Sequence, residues 1–161
     1  MHARFTITIE KNVPELESLQ RQDVVAEALS WLNTPFHHEA AVKGAGVDCA
    51  MLLREVYAAI GLTPRIDPGH YPADWHLHRT EERYLTWILE YARPVSHGLP
   101  GDIATYKFGR VISHAAIVVQ WPVIIHTYTR GCVLDDGDRN EELKERFVGF
   151  YRLKVWAGGG V

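Results

Sequence analysis

Apolar residues change their spacing along this chain, and the change predicts its architecture. Phe5, Ile7 and Ile9 alternate with polar neighbours and predict a short strand. From Asp23, a suitable N-cap, the spacing becomes helical: Val24, Val25, Ala28, Leu29 and Leu32 form one stripe that ends at Asn33-Thr34-Pro35. Residues 37–47 read as a loop, with glycines at 44 and 46. Asp48 can cap a second helix running to about Ile60, with Leu52, Leu53, Val56, Tyr57 and Ile60 on its buried face and Gly61 as its stop. Residues 62–78 carry three prolines and predict irregular chain. Thr80 can cap a third helix, whose stripe is Tyr84, Leu85, Ile88, Leu89 and Ala92, with Glu81 and Glu82 favourably placed in its first turn. Beyond it, residues 102–106, 113–120, 123–129 and 147–155 are rich in β-branched and aromatic residues and predict strands. Helices first and strands later indicate an α+β domain, with N-terminal helices packed on a mostly antiparallel β-sheet.

The 161 residues suffice for one domain with a core. The expected division is a strand or extension over 1–22, the domain over 23–156 and a disordered glycine-rich tail over 157–161. A composition of 47% apolar and 23% charged residues is that of a globular protein. The net charge of -3 gives no reason to expect nucleic acid as a partner. No apolar run of about 18 residues is present, so no membrane span is expected. The first residues lack the continuous apolar stretch of a secretory signal, which points to a cytoplasmic location in the producing cell. Two cysteines, Cys49 and Cys132, are too few for a disulfide framework, and a reduced thiol is expected at Cys49.

The candidate chemistry lies in Cys49, His114 and His126. A thiol at a helix start gains nucleophilicity from the helix dipole, and an imidazole can take its proton. His114 and His126 are equidistant from Gln120. In a hairpin turning there they face each other, and a slip of two residues keeps them on one face. Cys49 then reads as the nucleophile, His114 as its general base and later acid, and His126 as the group that orients His114. The Cys49 backbone N–H is a natural oxyanion donor. Asp48 reads first as a cap, and Cys132 as a bystander in a turn-like segment. The same Cys and two His also suit a zinc ion with an open fourth position, as in a metallohydrolase. The thiol reading needs neither metal nor cofactor, and none is expected. The pairs His37-His38 and His76/His78 read as loop polar groups that contact substrate if their loops line the cleft.

The chain resembles the NlpC-type, papain-like family of cell-wall cysteine peptidases over roughly residues 24–155. The matching stretches are Trp31-Leu32-Asn33-Thr34-Pro35-Phe36, then Gly46-Val47-Asp48-Cys49-Ala50-Met51-Leu52-Leu53 with Val56-Tyr57, then Leu99-Pro100-Gly101-Asp102-Ile103, Ser113-His114-Ala115-Ala116-Ile117-Val118 and Val123-Ile124-Ile125-His126-Thr127-Tyr128. The resemblance implies a papain-like fold and a cysteine peptidase or amidase acting on the peptide stems of bacterial peptidoglycan, typically at the bond between D-γ-glutamyl and diaminopimelate. It also implies the catalytic roles of Cys49, His114 and His126, with Phe36, His37, Asp48 and Ser113 as candidate substrate contacts. The family commonly has Tyr where this chain has Phe36, which removes a hydroxyl. The loop wording resembles the phage-tail branch. There the enzyme is associated with the virion and acts at the wall, with tail proteins as partners. A structural tail component with little turnover is the non-enzymatic alternative.

Overall fold

The computed structural model describes residues 13–71 and 83–156. Helix α1 (Val13–Leu29) leads to a small two-stranded ladder, β1 (Ala41–Val42) and β2 (Gly46–Val47), and then to α2 (Cys49–Ala59). Helix α3 (Arg83–Tyr91) runs directly into β3 (Ala92–Val95). The remaining strands are β4 (Ile103–Phe108), β5 (Val111–Gln120), β6 (Val123–Tyr128), β7 (Gly131–Asp136) and β8 (Phe147–Leu153). They form one six-stranded sheet in the order β3-β8-β4-β5-β6-β7. Every neighbouring pair is antiparallel, as the α+β reading requires.

Side-chain alternation gives the sheet two apolar faces. Ala115, Ile117 and Ile125 join Leu52, Leu53 and Val56 of α2 and Val24 and Ala28 of α1 in the larger cluster. Their alternates Ala116, Val118 and Ile124 join Tyr106, Leu143 and Phe150 in the smaller one. The small side chain of Ala115, fully buried, leaves room for α2 to pack against β5.

Helix α1 begins well before Asp23, which is an exposed residue inside it rather than its cap. Residues 13–22 belong to this helix. Hydrophobic periodicity misses this half because the residue it buries is Arg21. Arg21 donates to Asp102 Oδ1 at 2.9 Å and to the Pro100 carbonyl at 2.7 Å, and its guanidinium lies 4.2 Å from the Trp156 ring centre. Arg152 donates to the other oxygen of the fully buried Asp102 at 2.8 Å. Two arginines and one carboxylate thus tie α1 and β8 to the start of β4.

Strands β3 and β7 escape the sequence reading, and they are the two sheet edges. Edge strands lack the continuous apolar signature of interior ones and tolerate residues such as Pro94 and Asp135. Cys132 sits inside β7, fully buried, rather than in a turn. Its N–H donates to the Thr34 carbonyl and its carbonyl accepts from Asn33, so β7 anchors the chain that leaves α1. The expected strand over residues 5–9, the Thr80 cap with Glu81 and Glu82, the pair His76/His78 and the tail 157–161 lie outside the described residues.

Candidate active site

Asp48 sets the start of α2. It has extended backbone, and its Oδ1 accepts the Met51 N–H at 2.9 Å, the N-cap bond expected from the sequence. Its Oδ2 accepts the Glu39 N–H at 2.8 Å and the Tyr71 hydroxyl at 2.6 Å. One buried carboxylate therefore fixes the helix start, the 37–47 loop and the segment ending at Tyr71. The same loop is held by Val47 N–H to the Pro35 carbonyl and by His37 N–H to the Val47 carbonyl.

Cys49, the first residue of α2, opens onto a cleft of about 240 Å³ that His114 also lines. The Cys49 thiol lies 3.8 Å from the Ser113 carbonyl, just before His114 in β5. Phe36, Asp48 and Ser113 border the same cleft. His37 does not: it is exposed, and its ring lies over Gly46, where an added Cβ would come within 2.7 Å of it. His38, the other member of that loop pair, does line the cleft wall. Its ring meets Tyr71 edge-on and its Nε2–H donates to the Tyr71 carbonyl.

The two histidines meet, by a different register from the symmetrical hairpin. Strands β5 and β6 pair as Ile117↔Ile125 and Val118↔Ile124, with an irregularity next to Gln120. Continuing that register sets His126 beside Ala116, so His114 is its diagonal neighbour on the same face. His114 Nε2 and His126 Nδ1 are 2.9 Å apart, and both side chains are buried.

Asp135 completes the line, and the sequence reading did not single it out. His126 Nε2 lies 3.3 Å from Asp135 Oδ2. An ionised carboxylate can only accept, so His126 carries its proton on Nε2 and its Nδ1 is an acceptor. His114 must then donate from Nε2. Its Nδ1 is left with a lone pair, the form a general base needs. Burial pushes the Asp135 carboxyl up, but bonds from Asn140, the Asp136 N–H and His126 outweigh it and hold it below the usual range. Asp135 belongs to the unpredicted edge strand β7. Once β7 is paired with β6, with His126 opposite Val133, period two brings Asp135 to the same face.

The resting charges are those of a neutral pair. Burial and the adjacent His126 push His114 well below the ordinary imidazole range. Burial lowers His126 too, with Asp135 pulling partway back. Enclosure pushes the Cys49 thiol up to about 12, and the Asp48 carboxylate adds to this. The Ala115 N–H, the Tyr84 hydroxyl and the Ala50 N–H act in the opposite direction. Burial thus favours the neutral thiol and the neutral imidazole at rest.

The zinc alternative finds no ligand set. Among the described residues no three His, Cys, Asp or Glu side chains are grouped to hold a metal ion. His114 Nε2 and His126 Nδ1 face each other rather than a shared centre. No helix among the described residues is long and apolar enough to cross a membrane.

No protein-family model matches the chain, and no curated protein matches it in sequence. Its fold is similar to solved structures of NlpC/P60 proteins. One is an NlpC/P60 family protein from Bacillus cereus ATCC 10987, with TM-score 0.60 and 19% identity over 82% of this chain and 39% of that one. Another is a lipoprotein-like NLP/P60 protein from Staphylococcus aureus subsp. aureus Mu50, with TM-score 0.60 and 17% identity over 84% of this chain and 41% of that one. NlpC1 from Trichomonas vaginalis matches at TM-score 0.54 and 15% identity, over 91% of this chain and 44% of that one. The chain spans less than half the length of each. The fold is thereby the papain-like α+β fold of NlpC/P60 proteins, with helices on a six-stranded antiparallel sheet.

Proposed function

We propose that this domain is a cysteine peptidase or amidase that hydrolyses the peptide stems of bacterial peptidoglycan. The line from Asp135 through His126 to His114 carries the proposal. It presents an unprotonated Nδ1 on a residue that shares a cleft with a helix-start thiol. The thiol attacks a peptide carbonyl carbon while its proton passes to His114 Nδ1. The new positive charge on His114 is supported by the hydrogen bond to His126, which is held in turn by Asp135. The oxyanion faces the Cys49 backbone N–H at the start of α2. His114 returns the proton to the leaving amine. A water then attacks the thioester with His114 as base, releasing the acid and the thiol.

The target bond is the one between D-γ-glutamyl and diaminopimelate, and the setting is a phage or prophage tail that brings the enzyme to the wall. Both rest on the sequence resemblance. Purified muropeptides incubated with the protein test the reading, with products followed by mass spectrometry. Cleavage by the wild type and none by Cys49→Ala is expected. Equal cleavage by both would remove the thiol mechanism, and no cleavage by either would favour a structural tail component.

A further inference from the structure

Tyr84, in the first turn of α3, lines the cleft beside Cys49 and is only 7% exposed. Among the described residues its buried hydroxyl has no partner in hydrogen-bond geometry. Its ring packs in the larger core cluster and stacks on Trp87 at 6.2 Å between centres. Phenylalanine would supply that packing without the desolvation cost of an unsatisfied hydroxyl. A phenol kept in such a place calls for a function that the resting state does not display.

The surroundings indicate which function. Phe36 borders the cleft but has no hydroxyl, and the Tyr71 hydroxyl is engaged by Asp48 at 2.6 Å. Tyr84 and Cys49 line the same cleft, and the Tyr84 hydroxyl, with the Ala115 and Ala50 N–H groups, acts on the Cys49 thiol against the upward push of burial. A thiol makes weak use of such donors, whereas a thiolate makes strong use of them.

We propose that Tyr84 is a catalytic residue whose O–H donates to the Cys49 sulfur as the thiolate forms. The S–H bond breaks, the proton goes to His114 Nδ1, and Tyr84 keeps its own proton while its hydrogen bond strengthens on the new charge. Burial, with the nearby Cys49 and Asp48 charges, pushes the phenol well above the ordinary tyrosine range, so it stays a donor throughout the working pH range. What the thiolate does next rests on the hydrolase reading, but the test reads the thiol itself.

The test is the pH profile of Cys49 alkylation by iodoacetamide in the full chain, mapped by mass spectrometry so that Cys132 is scored separately. In Tyr84→Phe the alkylation rate at a fixed pH below the midpoint should fall roughly tenfold, the equivalent of about one pH unit, from losing one hydrogen bond to a charge. The melting temperature should hold or rise, because the unpartnered hydroxyl is gone. Trp87→Phe, which removes the neighbouring indole N–H, should leave the alkylation profile where it was. If Tyr84→Phe fails to fold, 3-fluorotyrosine at position 84 alone, a stronger donor, should move the midpoint down. A folded Tyr84→Phe with the wild-type profile, or no downward shift with fluorotyrosine, overturns the proposal. A shifted profile in a protein that cleaves no muropeptide would sink the hydrolase reading and leave the Tyr84 assignment standing.

Discussion

Asp135→Asn probes the relay at the end farthest from the sulfur. The amide keeps the shape and can still accept from His126 Nε2–H, so the substitution removes charge more than geometry. The bond at 3.3 Å changes from charge-assisted to neutral. Hydrogen bonds to charged groups contribute about 1.5–3 kcal/mol and neutral ones about 0.5–1.5 kcal/mol, so the loss is roughly 1–1.5 kcal/mol. The bond is present in the resting state too, but the positive charge it steadies through His126 exists only after proton transfer, so the part of the loss felt by that charge lowers kcat, by up to about tenfold, with KM little changed. The sign with pH also follows. Burial lowers His126, and the Asp135 carboxylate raises it against that trend. Removing the carboxylate therefore lowers His126 further, and the acid limb of kcat/KM shifts to lower pH as the plateau drops. Steady-state hydrolysis of a defined stem peptide between pH 4 and 9 would measure both. Wild-type kcat with an unmoved acid limb would refute the relay, and an upward shift of that limb would refute its sign.

Three further outcomes are expected. In the wild type, kcat/KM should hold well below the ordinary imidazole value of about 6.5, because His114 is neutral there, whereas an acid limb above that value would contradict its burial-driven shift. Asp102→Ala leaves Arg21 and Arg152 without their shared buried carboxylate. The cost is about 3–5 kcal/mol, or roughly 6–20 °C in Tm by calorimetry, and a fall under about 2 °C would show that the cluster contributes little. Gly131 has φ of +85°, and a Cβ there would come within 2.7 Å of the Thr34 carbonyl. Gly131→Ala should therefore lose about 1–3 kcal/mol in urea unfolding, and an unchanged midpoint would mean that the 33–36 loop yields freely.

The sequence made one class of feature legible: side chains whose spacing repeats. The stripes of α2 and α3 and the interior strands are regular in this sense, and they emerge close to their predicted bounds. The cap at Asp48 was equally readable, because a capping side chain acts within three residues of its own position. What escaped was held by long-range polar contacts. The first half of α1 rests on Arg21 reaching Asp102 across 81 positions. The edge strands β3 and β7 carry proline and acid that local patterns assign to loops.

The site divides the same way. A helix start and a parity argument single out Cys49, His114 and His126 as candidates, and the structure sets the two histidines together, although an irregularity at the β5–β6 turn makes them diagonal rather than opposite. Asp135 and Tyr84 had no local signature. Their positions depend on β7 pairing with β6 and on α3 leaning over the cleft. Of the loop pair His37-His38, nothing local distinguishes which ring faces the cleft, and the loop fold turns the second one inward.

Nitrogen-15 NMR of the histidine-labelled protein at neutral pH bears on the base most directly. His114 should give a protonated Nε2 and a bare, acceptor-type Nδ1, with His126 protonated on Nε2 alone. A proton on His114 Nδ1, or an imidazolium in place of the neutral ring, would leave the thiol with no base to receive its proton.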